Sequence, residues 1–262
     1  MDLGLRNKAV LVLASSKGLG RATAMKFAEE GAAVMITSRD EKALMVTADE
    51  IRKKTGSRIE YAVCDITQKE EITRLVKAAA DAFGKIDVLV NNAGGPPAGT
   101  FDSFGDEEWE FGFNLTLMSL VRTVREVLPY MRENGGGRIV NIASSSFKQP
   151  IDGLILSNTF RTAINGLSKS LSQELGKDGI LINTIGPGRI GTDRVAELDS
   201  KAADANSVSP EQVKEQMEKS IPLGRYGTPE EFARTIVYLG SEANTYITGQ
   251  SFLIDGGMVK AL

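Results

Sequence analysis

Short β-prone apolar runs alternate with longer amphipathic segments along almost the whole chain, and this alternation restricts the fold more than any other feature. Strand, helix and strand in repeated succession build parallel strands joined by right-handed crossovers. The expected strands are Ala9–Ala14, Ala33–Thr37, Ile59–Val63, Ile86–Asn91, Arg138–Ala143, Ile180–Ile185 and Ser251–Ile254. Several are near-continuous hydrophobic stretches, as strands become when helices cover both faces of a sheet. The expected helices lie near Gly20–Glu30, Lys42–Lys54, Lys69–Phe83, Asp106–Arg132, Asn158–Lys177 and Pro229–Leu239. Turn-forming clusters such as Glu133-Asn134-Gly135-Gly136-Gly137 separate them. No repeat, low-complexity segment or linker divides the chain. The reading is α/β: residues 1–262 form one domain, a doubly wound parallel sheet of about seven strands in a three-layer sandwich.

One stretch breaks the rhythm. From Arg189 to about Leu223 the sequence is charged and rich in Ala and Ser, between the sixth and seventh strands. Ligands of open α/β sheets bind beyond the carboxyl ends of the strands. An excursion there reads as a substrate lid, with a solvated helical hairpin as the alternative.

Composition removes whole classes of function. A net charge of −3, with no Lys/Arg cluster that reads as a nucleic-acid stripe, gives no footprint for nucleic acid. One cysteine, Cys64, allows no intramolecular disulfide and suggests no metal site; it reads as a small buried residue. The absence of histidine removes the commonest metal ligand and the commonest general acid–base together. No metal site is therefore expected. No apolar run is long enough for a membrane span, and Met1–Arg6 does not read as a signal peptide, so the expectation is a cytoplasmic protein.

The first strand runs into Ala14-Ser15-Ser16-Lys17-Gly18-Leu19-Gly20 and then a helix. Such a Rossmann-type turn lets backbone approach a pyrophosphate, whose charge then rests on helix N–H groups. Alone it is a weak signal, since many Gly-rich turns are only turns. The second strand strengthens it by ending in Thr37-Ser38-Arg39, without the acid that would accept from a ribose 2′-hydroxyl. Arg39, with Lys17 in the facing loop, favours a 2′-phosphate and hence NADP(H) over NAD(H). Asp40 follows at once and keeps the alternative open.

The chain resembles the short-chain dehydrogenase/reductase family nearly end to end. The resemblance is carried by the Gly-rich turn, Asp65, Asn91-Asn92-Ala93-Gly94, Asn114, Arg138-Ile139-Val140-Asn141-Ile142-Ala143-Ser144-Ser145, Pro187-Gly188 with Thr192, and Ile254-Asp255-Gly256-Gly257. It implies a cofactor site of Ala14, Ser16, Lys17, Gly18, Leu19 and Gly20, with Ser38 and Arg39 at the ribose. Asp65 and Ile66 would contact adenine, while Asn91, Ala93 and Gly94 would support the nucleotide. The turn with Pro187, Gly188, Ile190 and Thr192 would meet the nicotinamide carboxamide. The resemblance also implies a homo-oligomer, tetramer or dimer, and a small carbonyl or alcohol substrate. The substrate pocket would be built from the 95–100 loop, the stretch from Lys148 to Ile155, and the lid.

Two departures stand out. The family turn begins Thr-Gly, and here those positions are Leu13 and Ala14; an alanine is expected to keep a negative φ. The family's catalytic Tyr-x-x-x-Lys is also missing. Aligning Ala163-Ile164-Asn165-Gly166-Leu167 with the family's continuation places Ser157 at the tyrosine and Arg161 at the lysine, with Ser144 as the upstream serine. No tyrosine lies between Asn141 and Leu175. Serine is a far weaker acid than a phenol, and arginine does not deprotonate, although Arg161 would still hold ribose hydroxyls. A water chain around Asn114, Ser144, Ser157 and Arg161 is the natural substitute as proton source. Three readings remain: an NADP(H)-dependent oxidoreductase with a non-standard proton source, a catalytically impaired NADP(H)-binding sensor or oligomer subunit, and a purely structural member.

Overall fold

The computed structural model describes residues 1–261. Its seven strands are β1 (Ala9–Val12), β2 (Ala33–Ser38), β3 (Ile59–Val63), β4 (Val88–Asn91), β5 (Gly137–Ile142), β6 (Ile180–Pro187) and β7 (Ser251–Ile254). They form one parallel sheet in the order β3-β2-β1-β4-β5-β6-β7. The order reverses between β1 and β4, so a crevice opens where the carboxyl ends of those two strands diverge.

Alternation along each strand distributes the core to both faces. Val10, Val12, Val34, Ile36, Val88 and Val90 point to one side, packing with α1 (Gly18–Glu29), α2 (Glu41–Thr55) and α9 (Pro229–Leu239). Leu11, Leu13, Met35 and Leu89 point to the other, with α3 (Lys69–Phe83), α5 (Ser119–Glu133) and α6 (Ile155–Leu175). Phe27 of α1 and Phe232 of α9 are among the largest side chains fully removed from water. Each such side chain contributes about 1.5–3 kcal/mol of transfer free energy. Helix ends follow local chemistry. Asp40 caps α2 by accepting from the Ala43 N–H, and a Thr228–Glu231 capping box opens α9 with Pro229 in its first turn.

One expectation needs correction. The single helix expected over Asp106–Arg132 is interrupted: α4 (Asp106–Phe113) passes through a π-helical turn, Asn114–Met118, before α5 begins. Hydrophobic periodicity continues across that turn and so does not reveal it. The 189–223 excursion contains α7 (Asp193–Asn206) and α8 (Pro210–Ser220), packed on each other. Its root is fixed by a buried node. Arg189 pairs with Asp199 of α7 at 2.6 Å, and the Tyr226 hydroxyl donates to the second Asp199 oxygen at 2.9 Å. Burial, then the bond to Asp199, pushes the Tyr226 phenol above its ordinary pKa. That hydroxyl is occupied in holding the fold.

Candidate active site

The turn after β1 has the shape that close ligand approach requires, but an unexpected residue takes the strain. Ala14 adopts φ +46°, contrary to the negative φ expected from its side chain. The neighbouring contacts explain this. The Ser15 N–H donates to the Thr37 carbonyl at 2.8 Å, and the Ala14 carbonyl accepts from Asn92 Nδ2 at 3.0 Å. The turn is thereby held to β2 on one side and to the end of β4 on the other. A left-handed alanine costs about 1–2 kcal/mol, against about 0.4–1 kcal/mol of added unfolded-state entropy for glycine. Ala14→Gly is therefore expected to raise the melting temperature by roughly 2–4 °C per kcal/mol of net relief, read in a thermal melt. Gly20 admits no side chain, because a Cβ would collide with the Ala14 carbonyl oxygen and lie 2.8 Å from Ser15 Cα. Gly18, at φ +57°, faces the Thr192 side chain, 3.8 Å from where its own Cβ would stand. The turn expected to meet the nicotinamide is thus brought against the Gly-rich turn. No side chain caps the first turn of α1, so its N–H groups remain available to an anion.

The tips of β2 and β3 lie side by side. Ser38 pairs with Val63, and the Cys64 N–H donates to the Ser38 carbonyl at 2.9 Å. This brings Ser38 and Arg39 beside Asp65 and Ile66. Arg39 and Lys17 are both exposed, and neither enters an ion pair among the described residues. Asp40, the acid that left the cofactor choice open, has its carboxylate turned to the α2 amide of Ala43 at 3.0 Å. Between the turn and α2 lies a depression lined by Ser16, Lys17, Arg21, Lys42 and Thr47 among others. Lys42 is a third cation that the sequence reading passed over; its signal was its place in the first turn after the β2 tip. The Asp65 carboxylate accepts from the Thr67 N–H and hydroxyl, which shapes the loop beneath Ile66.

Cys64 sits at the end of this row and is buried. Burial, then the nearby Glu71 and Asp65 carboxylates, pushes its thiol up to about 12. At about pH 8 the folded protein is therefore expected to resist thiol-labelling reagents that react fully once it is unfolded. Rapid labelling of the native chain would contradict this.

The carboxyl ends of β4 and β5 meet the amino-terminal part of α6 around one buried guanidinium. Arg161 is 5% exposed. Its Nη1 donates to the Ile142 carbonyl at 2.9 Å, and its Nη2 to those of Ala93 and Gly94 at 3.3 and 3.4 Å. Expected to hold ribose hydroxyls, it instead directs both terminal nitrogens at the backbone of the neighbouring strand ends. Burial pushes it down to about 10, which leaves it charged at neutral pH. Asn91 also turns inward: its Nδ2 donates to Asn141 Oδ1 at 2.8 Å, so its side chain faces the core. Both ends of the Asn114 side chain are engaged, Nδ2 with the Glu110 carbonyl and Oδ1 with Arg122.

Ser144 follows β5, and Ser157 stands on α6. Ser144 Oγ accepts from the Ser146 N–H at 3.1 Å, and Ser145 and Ser146 are buried in a short 3-10 turn, as turn formers. Ser157 is half-buried on α6, one turn before Arg161. The two stretches expected to wall a substrate pocket do meet. The Gly99 N–H donates to the Gly153 carbonyl at 2.6 Å, the Ile155 N–H to Gly99, and Asn158 brackets Ile151 with two hydrogen bonds. Trp109 packs edge-on against Phe101 and Phe160 behind them. From α7, Arg194 Nη2 reaches the Pro96 carbonyl at 3.3 Å. No cluster of His, Cys, Asp and Glu among the described residues could hold a metal, and no described helix is long and apolar enough to cross a membrane.

A parallel sheet with its switch point at a glycine-rich strand-to-helix turn defines the Rossmann-type dinucleotide-binding proteins as a class. A family model described as enoyl-(acyl carrier protein) reductase matches residues 13–259. A 3-oxoacyl-(acyl-carrier-protein) reductase, FabG of Chlamydia muridarum, is 35% identical over 258 residues, covering 98% of this chain and all of that protein. The BbsD subunit of a hydroxy(phenyl)methylsuccinyl-CoA dehydrogenase from Thauera aromatica is 34% identical over 255 residues, 97% of this chain and 98% of its own. The crystal structure of L-sorbose reductase from Gluconobacter frateurii, complexed with NADPH and L-sorbose, is 34% identical and superimposes with a TM-score of 0.95 over the whole of both chains. The chain belongs to the short-chain dehydrogenase/reductase family.

Proposed function

We propose that this protein is an NADP(H)-dependent oxidoreductase acting on a carbonyl or alcohol substrate, 3-oxoacyl reductase-like, with Ser157 and Arg161 where the family carries its tyrosine and lysine. The observation that carries the cofactor assignment is the pair of exposed cations, Lys17 and Arg39, at a strand tip whose next residue, the acid Asp40, caps a helix. The relatives point the same way, since the sorbose reductase was crystallised with NADPH. When bound, the dinucleotide supplies or accepts hydride at the substrate carbon.

This chain's own residues hold it. Lys17 and Arg39, joined by Lys42, take the 2′-phosphate, and the amides of Gly18, Leu19 and Gly20 take the pyrophosphate. The turn fits such a group because Gly20 leaves no side chain in the way and α1 begins uncapped. Asp65 and Ile66 frame the adenine, while Ala93, Gly94, Pro187, Gly188, Ile190 and Thr192 line the nicotinamide end. The α7–α8 hairpin acts as the lid, through Thr192 and Arg194. The proton on the substrate oxygen comes from solvent held by Ser144 and Ser157. Ser144 Oγ already accepts from Ser146 N, which leaves its O–H free to donate. The working form is a homo-oligomer, as the resemblance implies.

One observation favours the second reading, a catalytically impaired NADP(H)-binding protein. The terminal nitrogens of Arg161 are taken up by three backbone carbonyls, and no phenol stands on α6. Titration with NADPH and with NADH, followed by a panel of 3-oxoacyl thioesters and sugar ketones, separates the cases. Micromolar NADPH binding with turnover is expected. Binding without turnover on any carbonyl would transfer the assignment to the second reading, and binding of neither nucleotide would remove both.

A further inference from the structure

Beneath the Arg161 carbonyl contacts lies a cavity of about 10 Å³ lined by Leu13, Asn91, Thr116, Ser119, Ile142 and Arg161, among others. Five buried side-chain polar atoms among the described residues lack a protein partner, and three of them, Arg161 Nε, Asn91 Oδ1 and Thr116 Oγ1, belong to residues on this one cavity. All three residues are at most 5% exposed. Buried polar groups are almost always hydrogen-bonded, so three on the lining of one cavity call for a common partner.

The hydrogen-bond chain behind Asn91 fixes what that partner must be. Ser168 Oγ donates to the Ile164 carbonyl at 2.7 Å, so it can only accept from Asn141 Nδ2 at 2.8 Å and from Thr184 at 3.0 Å. Asn141 therefore presents its oxygen to Asn91 Nδ2. This leaves Asn91 Oδ1 as an acceptor toward the cavity, where a flipped amide would break the chain. Arg161 Nε is a donor. Thr116 can be either, and its hydroxyl is not turned back onto its own helix, unlike those of Ser119 and Thr123. The π-helical turn over Asn114–Met118 carries Thr116 here.

We infer that this cavity is a built binding site for one water molecule, which accepts from Arg161 Nε, donates to Asn91 Oδ1 and bonds to Thr116 Oγ1. A cation is excluded by the guanidinium and an anion by the unpaired amide oxygen of Asn91. The volume is at the lower limit for a single water, too small for chloride. The water completes the support of Arg161. Its terminal nitrogens then stay on the carbonyls of Ile142, Ala93 and Gly94, which shape the switch-point crevice. Arg161 is thus a positioning residue, steadied from below.

The wild-type protein, crystallised in bromide and solved at high resolution, tests this without reference to any activity. One ordered solvent peak about 2.7–3.2 Å from all three atoms, with no anomalous bromide signal, is expected. A bromide peak there, or a dry cavity, would overturn the inference. Thr116→Val, similar in shape, supplies a solution measurement. It is expected to lower the melting temperature by about 2–4 °C and to speed hydrogen exchange at Arg161 Nε, seen by NMR. Unchanged melting with unchanged exchange would show that the threonine hydroxyl holds nothing.

Discussion

The double variant Ser157→Tyr/Arg161→Lys is expected to reduce ketones with NADPH about 10²–10⁴-fold faster than the wild-type chain, the usual worth of a positioned general acid. Position 157 lies one helical turn before 161 on α6, so a phenol and an ammonium introduced there fall on the same helix face. The phenol supplies a far stronger acid than the serine hydroxyl, and the ammonium beside it favours the phenolate and so lowers its pKa. The single variants separate the contributions. Ser157→Tyr gains an acid without its charged neighbour and is expected to recover only part of the rate. Arg161→Lys gains nothing catalytic and loses stability, because one ammonium cannot reach the Ile142, Ala93 and Gly94 carbonyls as the planar fork does. Turnover is compared at saturating NADPH, with binding checked separately. A double variant that binds NADPH and folds, yet gains no rate, would mean that the tyrosine and lysine are not what limits this site.

That variant also shows where sequence and structure part. The sheet was legible because both signals used are local. Short β-prone apolar runs mark the strands and amphipathic segments the helices, and turn-forming clusters such as Glu133-Asn134-Gly135-Gly136-Gly137 separate them. Ser38, Arg39, Asp65 and Ile66 were also readable as a group, since parallel pairing of β2 with β3 brings the two strand tips together. The orientation of inward-pointing polar side chains was not. Nothing local distinguishes an arginine facing a ribose from one turned onto backbone carbonyls. That choice depends on Ala93 and Ile142, which lie 68 and 19 residues away. The inward turn of Asn91 depends likewise on Asn141, and the positive φ of Ala14 on Asn92. The π-helical turn leaves the hydrophobic period intact and escapes detection for that reason.

Removing both cations at the β2 tip, in Lys17→Ala/Arg39→Ala, is expected to weaken NADPH binding by about 10²-fold and leave NADH binding within a factor of about two. A charge-assisted contact to phosphate is worth roughly 1.5–3 kcal/mol, and the lower end applies because both side chains are exposed and screened. Each therefore accounts for about a factor of ten. Raising ionic strength should reduce wild-type NADPH affinity more than NADH affinity and should barely distinguish the two in the double variant. Asp40 provides the internal control. Its carboxylate is held by the Ala43 amide, so Asp40→Asn keeps the cap and removes a negative charge near the same spot. That change should tighten NADPH binding slightly and leave NADH unaffected. Equal losses of NADPH and NADH in the double variant would mean that Lys17 and Arg39 meet the pyrophosphate or adenosine common to both nucleotides. The 2′-phosphate would then have to rest on Lys42, the remaining cation beside the turn that enters no ion pair among the described residues.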